Sequence, residues 1–419
     1  MKHKIITLEE KRIILGNFFS LSTLQGINYI LPLVVIPFLF RVIGPEKFGL
    51  IAFAQSLVQY FLILTDYGFS LSATKEIALC KEHKEKVCTI FSLVMTVKTI
   101  LAVISFFMLL LIINFIPKFR QDWLVYVCSF GVVIGNSLFP VWFFQGTEKM
   151  KYISIINIIC SLAYVICVFA FVKIPEDYLY VPLLTSLFSL ISGLSGLYIA
   201  FKRFGLTFVF QGYHNIRQQL KAGWNIFISI VAINAYTTTR IFAVGLLTNN
   251  TLTGFYSIAE RIANFIQTFP LESFSQAIYP RLNKIFSMNK KRAAKLMHKI
   301  QRSTAIIFLF VIPILFLLAP KIVKIVCGTQ YEEVTSSLKL LLLAVLFVGA
   351  NASRVQFLLV SGRTDLYSKL HVTAAIIGLP LVFFLISWLS YTGAAISTII
   401  IEGGIFISTL FLIKKTLKL

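Results

Sequence analysis

Glu260 and Arg261 lie side by side inside the apolar run Gly254–Ser275. A charge held in hydrocarbon costs roughly 3 kcal/mol or more, so it is kept where it faces protein or a wet cavity. The spacing says which face is wet. Ser257, Arg261, Asn264 and Thr268 recur at steps of four, three and four, which is one stripe along a helix. The preceding run carries a matching stripe of Asn225, Ser229, Ala232, Tyr236 and Arg240. Two consecutive spans therefore each carry a polar seam with an arginine. The chemistry this points to is anion binding in a hydrated, cationic cavity. Guanidinium groups stay charged at any depth and give paired hydrogen bonds to oxyanions. Counted back from the shared outer ends of their spans, the two arginines differ in depth by only about 3 Å, so one ligand can meet both. The structural alternative is pairing with carboxylates such as Glu260, which would only fix the packing.

The other ionisable residues within apolar runs are Asp66, Lys98, Arg354 and Glu402, with Glu272 a borderline case beyond Pro270. Lys98 and Arg354 join Arg240, Arg261, Asn264 and Tyr236 as candidate cavity residues, although both have stems long enough to snorkel toward water. Asp66, Glu260 and Glu402 are the candidates for ion coupling. Asp66 shares a stripe with Gln55 and Gln59, and either binds a cation or caps its helix against Lys75. Glu402 stands near mid-span beside Gly403 and Gly404; it either exchanges a proton or packs as a hydrogen-bonded acid. No catalytic set is legible. The six cysteines form no CxxC pair, the five histidines are scattered, and no GxxxxGK[ST] loop is present. Neither a metal nor a cofactor is expected.

These charges need a membrane around them. Of 419 residues, 58% are hydrophobic and 13% charged, and mean hydropathy is +0.85. Soluble domains are about 25% charged. Twelve runs are long enough to span: 13–40, 48–70, 88–113, 123–145, 152–172, 179–201, 222–247, 252–280, 302–319, 335–360, 370–389 and 393–413. Prolines 32, 37, 140, 270, 313 and 380 predict kinks within them. The net charge of +22 raises nucleic acid as a partner. The basic residues instead form short clusters between spans rather than one basic face, so nucleic acid is rejected. Connections on the side of the termini hold 27 lysines and arginines, and the opposite connections hold seven. That asymmetry predicts both termini in the cytoplasm. The longest opposite loop is expected at Pro320–Val334, too short for a catalytic domain. The run Tyr213–Lys221 reads either as an amphipathic lead-in on the membrane surface or as a plain linker.

The fold class is thus an all-α integral membrane protein of twelve transmembrane helices. The connection at 201–223 falls near the midpoint and predicts two lobes of six helices, residues 1–210 and 211–419. A short internal match supports a parallel repeat. FGLIAFAQ (Phe48–Gln55) and TGFYSIAE (Thr253–Glu260) share Gly, two apolar, small, apolar, Ala and polar, with the two glycines 205 residues apart.

The chain also resembles a known family. LFRVIGPEKFG (Leu39–Gly49), DYGFSLSATKEIA (Asp66–Ala78), PVWFFQGTEKM (Pro140–Met150), and AER (Ala259–Arg261) with a later YPRL (Tyr279–Leu282) are similar, in this order, to bacterial O-antigen flippases. These are the Wzx group, in the polysaccharide exporter family of the multidrug/oligosaccharidyl-lipid/polysaccharide (MOP) superfamily. The resemblance implies a V of two six-helix lobes, as in the MATE transporters of that superfamily. It implies a multi-pass protein of the bacterial inner membrane that moves undecaprenyl-pyrophosphate-linked oligosaccharide repeat units to the periplasmic leaflet by alternating access. Membrane lipids and other polysaccharide-assembly proteins are the implied partners, and proton or cation coupling is an implied property of the superfamily. The alternatives are a multidrug antiporter of that superfamily, which would favour an acidic cavity, and an O-antigen polymerase, which would want a long periplasmic loop. A channel or receptor fits less well with charges buried in both halves.

Overall fold

The structure is a computed structural model that describes residues 8–417. Side chains are described for all of these except 8–30, 33, 222, 225, 233, 269, 270, 272–281, 283, 284, 287, 291, 359, 364 and 414–417. The side chains of Asn225, Glu272 and Tyr279–Arg281 named above therefore lie outside the described residues.

Among the described residues the chain is helical, with no strand. The helices are α1 (Leu8–Asp66), α2 (Phe69–Cys80), α3 (Lys84–Phe115), α4 (Pro117–Gln121), α5 (Trp123–Leu138), α6 (Val141–Gly146), α7 (Lys151–Phe171) and α8 (Tyr180–Phe204). The second half holds α9 (Tyr213–Leu247), α10 (Asn250–Met288), α11 (Lys290–Cys327), α12 (Glu332–Val360), α13 (Thr364–Leu389) and α14 (Tyr391–Leu417). Among the described residues nine segments are long and apolar enough to cross a membrane, and a bent pair within α9 makes a tenth. Helix covers all twelve expected spans, with the first two both in α1.

Several expected boundaries are corrected. The loop expected after residue 40 is absent; α1 runs through it with one break at Gly44 (φ 74°, ψ 168°). That region is open essentially only to glycine, so one residue redirects the helix without a loop. Span two stops at Asp66 rather than 70, because Tyr67 and Gly68 take positive φ. The expected loop 71–87 is mostly the helix α2. Span four ends at Leu138, since Pro140 cannot continue the ladder and instead caps α6. By contrast α11 continues through Pro313 and Pro320 to Cys327, which reduces the expected outer loop to Gly328–Tyr331. Tyr213–Lys221 is not a plain linker but helix, the first turns of α9, where Gln219 donates to Glu76 of α2 (3.3 Å).

The chain forms two compact units, one of residues 1–43 and 54–231 and the other of 44–53 and 232–419. The first has an aromatic core in which Phe69, Phe91, Trp142, Phe143 and Phe144 are at most 1% exposed. Tyr67 stacks on Phe227 (4.5 Å), which ties the start of α9 into this unit. In the second unit the two repeated glycines meet. A Cβ on Gly49 would strike the Asn250 carbonyl, and one on Gly254 would strike the Pro45 carbonyl. The two helices can cross backbone to backbone only because neither residue has a side chain, as at small-residue contacts between membrane helices. The lipid-facing stripes are apolar: α14, for example, exposes Ile400, Ile407 and Phe411.

Candidate functional site

The site is built in the second unit from α9, α10, α13 and α14. On α10, Glu260 is 5% exposed, and its Oε1 lies 3.2 Å from Nε of Arg240 on α9. Arg240 is itself only 8% exposed, and its Nη1 donates to Thr398 Oγ1 of α14 (2.9 Å). Tyr256, one turn before Glu260, donates its hydroxyl to the same Oε1 (3.4 Å). The small residues Ala394, Ala395 and Ser397 are fully buried and let α14 approach closely enough for Thr398 to reach in. Glu402, one turn further along α14, is near enough for its charge to act on Arg240.

Tyr236, one turn before Arg240, is 3% exposed and hydrogen-bonds through its hydroxyl with Nδ1 of His371 on α13 (2.8 Å). The two rings are parallel to within 6°, and Tyr367 meets the histidine edge-on. Gly378 leaves room for Ile401 of α14, which a Cβ there would press on.

Arg261 follows Glu260 but points elsewhere. Adjacent helical residues are about 100° apart. Arg261 is half-buried, with its guanidinium over the Phe48 ring (5.7 Å). Along the polar stripe of α10 Ser257 is buried, Arg261 and Thr268 half-buried and Asn264 exposed. The stripe of α9 shows the same trend, with Arg240 and Tyr236 buried and Ala232 and Ser229 part-buried. On both helices the buried seam residues are those nearer Leu247 and Asn250, and the more accessible ones lie further along.

The remaining candidates are not part of this cluster. Arg354 of α12 is buried, and its guanidinium stacks on Phe406 (4.7 Å). Lys98 and Asp66 belong to the first unit. Lys98 is 2% exposed; its Nζ stands 4.0 Å from Asp66 Oδ1 and donates to the Asn136 carbonyl (3.4 Å). Asp66 also accepts from Ser70 (2.7 Å). Its partner is therefore Lys98, not Lys75. Tyr256, Thr398 and His371 were not singled out in the sequence. The i−4 spacing of Tyr256 from Glu260 was a usable signal; the other two had none.

The comparisons with known proteins agree with one another. The family model described as "Polysaccharide biosynthesis protein" matches residues 14–286. A protein of Escherichia coli K12 described as "Putative O-antigen transporter" is 31% identical, covering 92% of this chain and 93% of its own length. One of Shigella dysenteriae with the same description is 26% identical, covering 95% and 98%. Among solved structures, the lipid II flippase MurJ in an inward closed conformation superposes with a TM-score of 0.73 at 15% identity, covering 94% of this chain and 87% of that one. An inward-facing multidrug resistance MATE transporter of the MOP superfamily gives 0.71 at 13% identity, covering 93% and 99%. At such identities the two structures speak to fold alone. The chain belongs to the polysaccharide biosynthesis protein family, as a Wzx-type polysaccharide exporter with the helical fold of the MOP superfamily.

Proposed function

We propose that this protein flips polyprenyl-pyrophosphate-linked oligosaccharide repeat units from the cytoplasmic to the periplasmic leaflet of the bacterial inner membrane. The two six-helix lobes would work by alternating access, with both termini cytoplasmic, and the chain would perform no bond chemistry of its own. The observation that carries this is a cation pinned inside a membrane helix bundle beside a second, more accessible one. Arg240 is fixed by Glu260 and Thr398, while Arg261 and Asn264 are more accessible. Pyrophosphate is a compact, multiply charged anion that cannot cross hydrocarbon unaided. In this reading Arg261, on the more accessible part of the seam, meets the pyrophosphate, while Arg240 is committed to Glu260 and Thr398 and holds the helices around it. The O-antigen character of the cargo follows the transporter description of the relatives, and its lipid linkage is what the resemblance to the flippases implies. A multidrug antiporter would have the same fold but want free carboxylates for cationic cargo. Here Glu260 and Asp66 are each beside a cation.

The test is complementation of a strain lacking its own O-antigen flippase, with abundance of the chain measured alongside. Arg261→Ala should insert at normal abundance, leave surface polysaccharide largely absent and let lipid-linked repeat units accumulate on the cytoplasmic side. Arg261→Lys should rescue partly, since the charge survives but the fork does not. Normal surface polysaccharide from Arg261→Ala overturns the assignment.

A further inference from the structure

The first unit contains a cavity of about 310 Å³ between α5, α7 and α8 whose lining is rich in neutral polar side chains. Asn136, Asn157, Ser161, Tyr164, Thr185 and Ser189 converge on it, with Phe188 on one wall. The lining carries no charged side chain. The cavity also lies off the membrane-facing stripes. Helix α7 exposes Ile155, Ile159, Leu162 and Ile166, and α8 exposes Leu183, Leu187, Ile191 and Leu194. The polar residues occupy other faces of the same helices.

The packing explains why there is a space. A Cβ on Gly135 would strike Ser189, and one on Gly193 would strike the Gly135 carbonyl. Helices α5 and α8 are thus pressed together backbone to backbone. Between α7 and α8 the contact is polar, with Ser192 donating to Asn157 Oδ1 (3.1 Å). Lys98 anchors α5 from behind through the Asn136 carbonyl, with Asp66 beside it. The Ser189 hydroxyl is spent on the Val132 carbonyl and Thr185 on Val181. Their lone pairs remain as acceptors, while the Asn157 amide nitrogen remains as a donor.

We infer that this cavity binds one sugar ring of the transported oligosaccharide; the inference rests on the flippase reading above. Planar amides pair with neighbouring hydroxyls as donor and acceptor at once, hydroxyl oxygens extend the pattern, and the Tyr164 and Phe188 rings offer apolar faces for the C–H side of a pyranose. A phosphate would need cations here and finds none in the lining. The volume lies at the low end of ligand pockets, roughly 300–1,000 Å³, which suits one ring rather than a whole repeat unit. Neutral polar groups in a membrane interior are costly unless they have partners, and a polyhydroxylated ligand supplies them.

The test measures binding of two probes to the full chain in nanodiscs: undecaprenyl pyrophosphate alone, and the same lipid carrying one N-acetylhexosamine. The sugar-bearing lipid should bind the native protein more tightly. Asn157→Ala should weaken it roughly 3- to 10-fold, the worth of one or two neutral hydrogen bonds, and leave the bare lipid unchanged. Ser161→Leu, which fills the cavity, should do the same, so the outcome does not depend on one variant folding. If the native protein binds both lipids and neither variant separates them, the sugar site is wrong and the flippase reading stands. If it binds neither lipid, the flippase reading itself fails. If Asn157→Ala instead abolishes a sodium dependence of binding while the sugar's contribution survives, the cavity is a cation site and the inference is overturned.

Discussion

Replacing Arg240 with alanine should damage the protein far more than replacing Arg261. The buried pair Arg240–Glu260 is 3.2 Å apart, with side chains 10% and 7% exposed. Removing one partner of such a pair leaves an uncompensated buried charge and costs about 3–5 kcal/mol. The lost bond to Thr398 lies within that figure, because a hydrogen bond to a charged group contributes roughly 1.5–3 kcal/mol. Removing both charges, in Arg240→Ala with Glu260→Ala, relieves the stranded carboxylate. What then remains is the cavity and the unmade bonds of Tyr256 and Thr398. The double variant should therefore be no less stable than Arg240→Ala alone, with a coupling of about 2 kcal/mol or more between the two sites. Arg261→Ala forfeits a contact with Phe48 worth about 0.5–1 kcal/mol, as for other half-exposed cation–aromatic pairs. Thermal unfolding in detergent and abundance in the membrane, measured for the two singles and the double, complete the cycle. Additive losses at Arg240 and Glu260 would refute the pairing. A fall in abundance for Arg261→Ala matching that of Arg240→Ala would refute the division of roles between the two arginines.

Three further outcomes are expected. Glu402→Gln should insert normally and flatten the dependence of transport on a pH gradient in vesicles, because Glu402 is a part-buried carboxyl within a span, one turn beyond Thr398 on α14; an unchanged pH profile removes it from coupling. Gly49→Leu should lower abundance or transport severely, because its side chain would have to displace the Asn250 carbonyl; a fully active Gly49→Leu would mean the crossing of α1 and α10 is not needed. A reporter active only in the periplasm, fused after Leu419, should stay silent, and strong activity would invert the topology.

Span placement was legible in the sequence because lipid burial is a property of each segment alone. About twenty apolar residues in a row have one low-energy place to be, whatever they pack against. The arginine stripes were legible for a similar reason, since helical periodicity puts Arg240 on one face with Tyr236 and Arg261 on one face with Asn264. The partners were not. Glu260 touches Arg261 in sequence, yet 100° of helical rotation separates them, and the pairing goes to Arg240 on another helix. Thr398 joins the same network from 158 residues away, and His371 reaches Tyr236 from 135. Such contacts depend on which helices pack together and how closely, and hydropathy is silent on both. Local breaks divided along the same line. Pro140 ended its helix where the sequence said it would kink, but Pro313 and Pro380 did not interrupt theirs, since neighbouring groups can satisfy a carbonyl that proline leaves free. The two repeated glycines were visible as a motif. Only the tertiary structure brought Gly49 and Gly254 together and gave their missing side chains a physical purpose: the space between two crossing backbones.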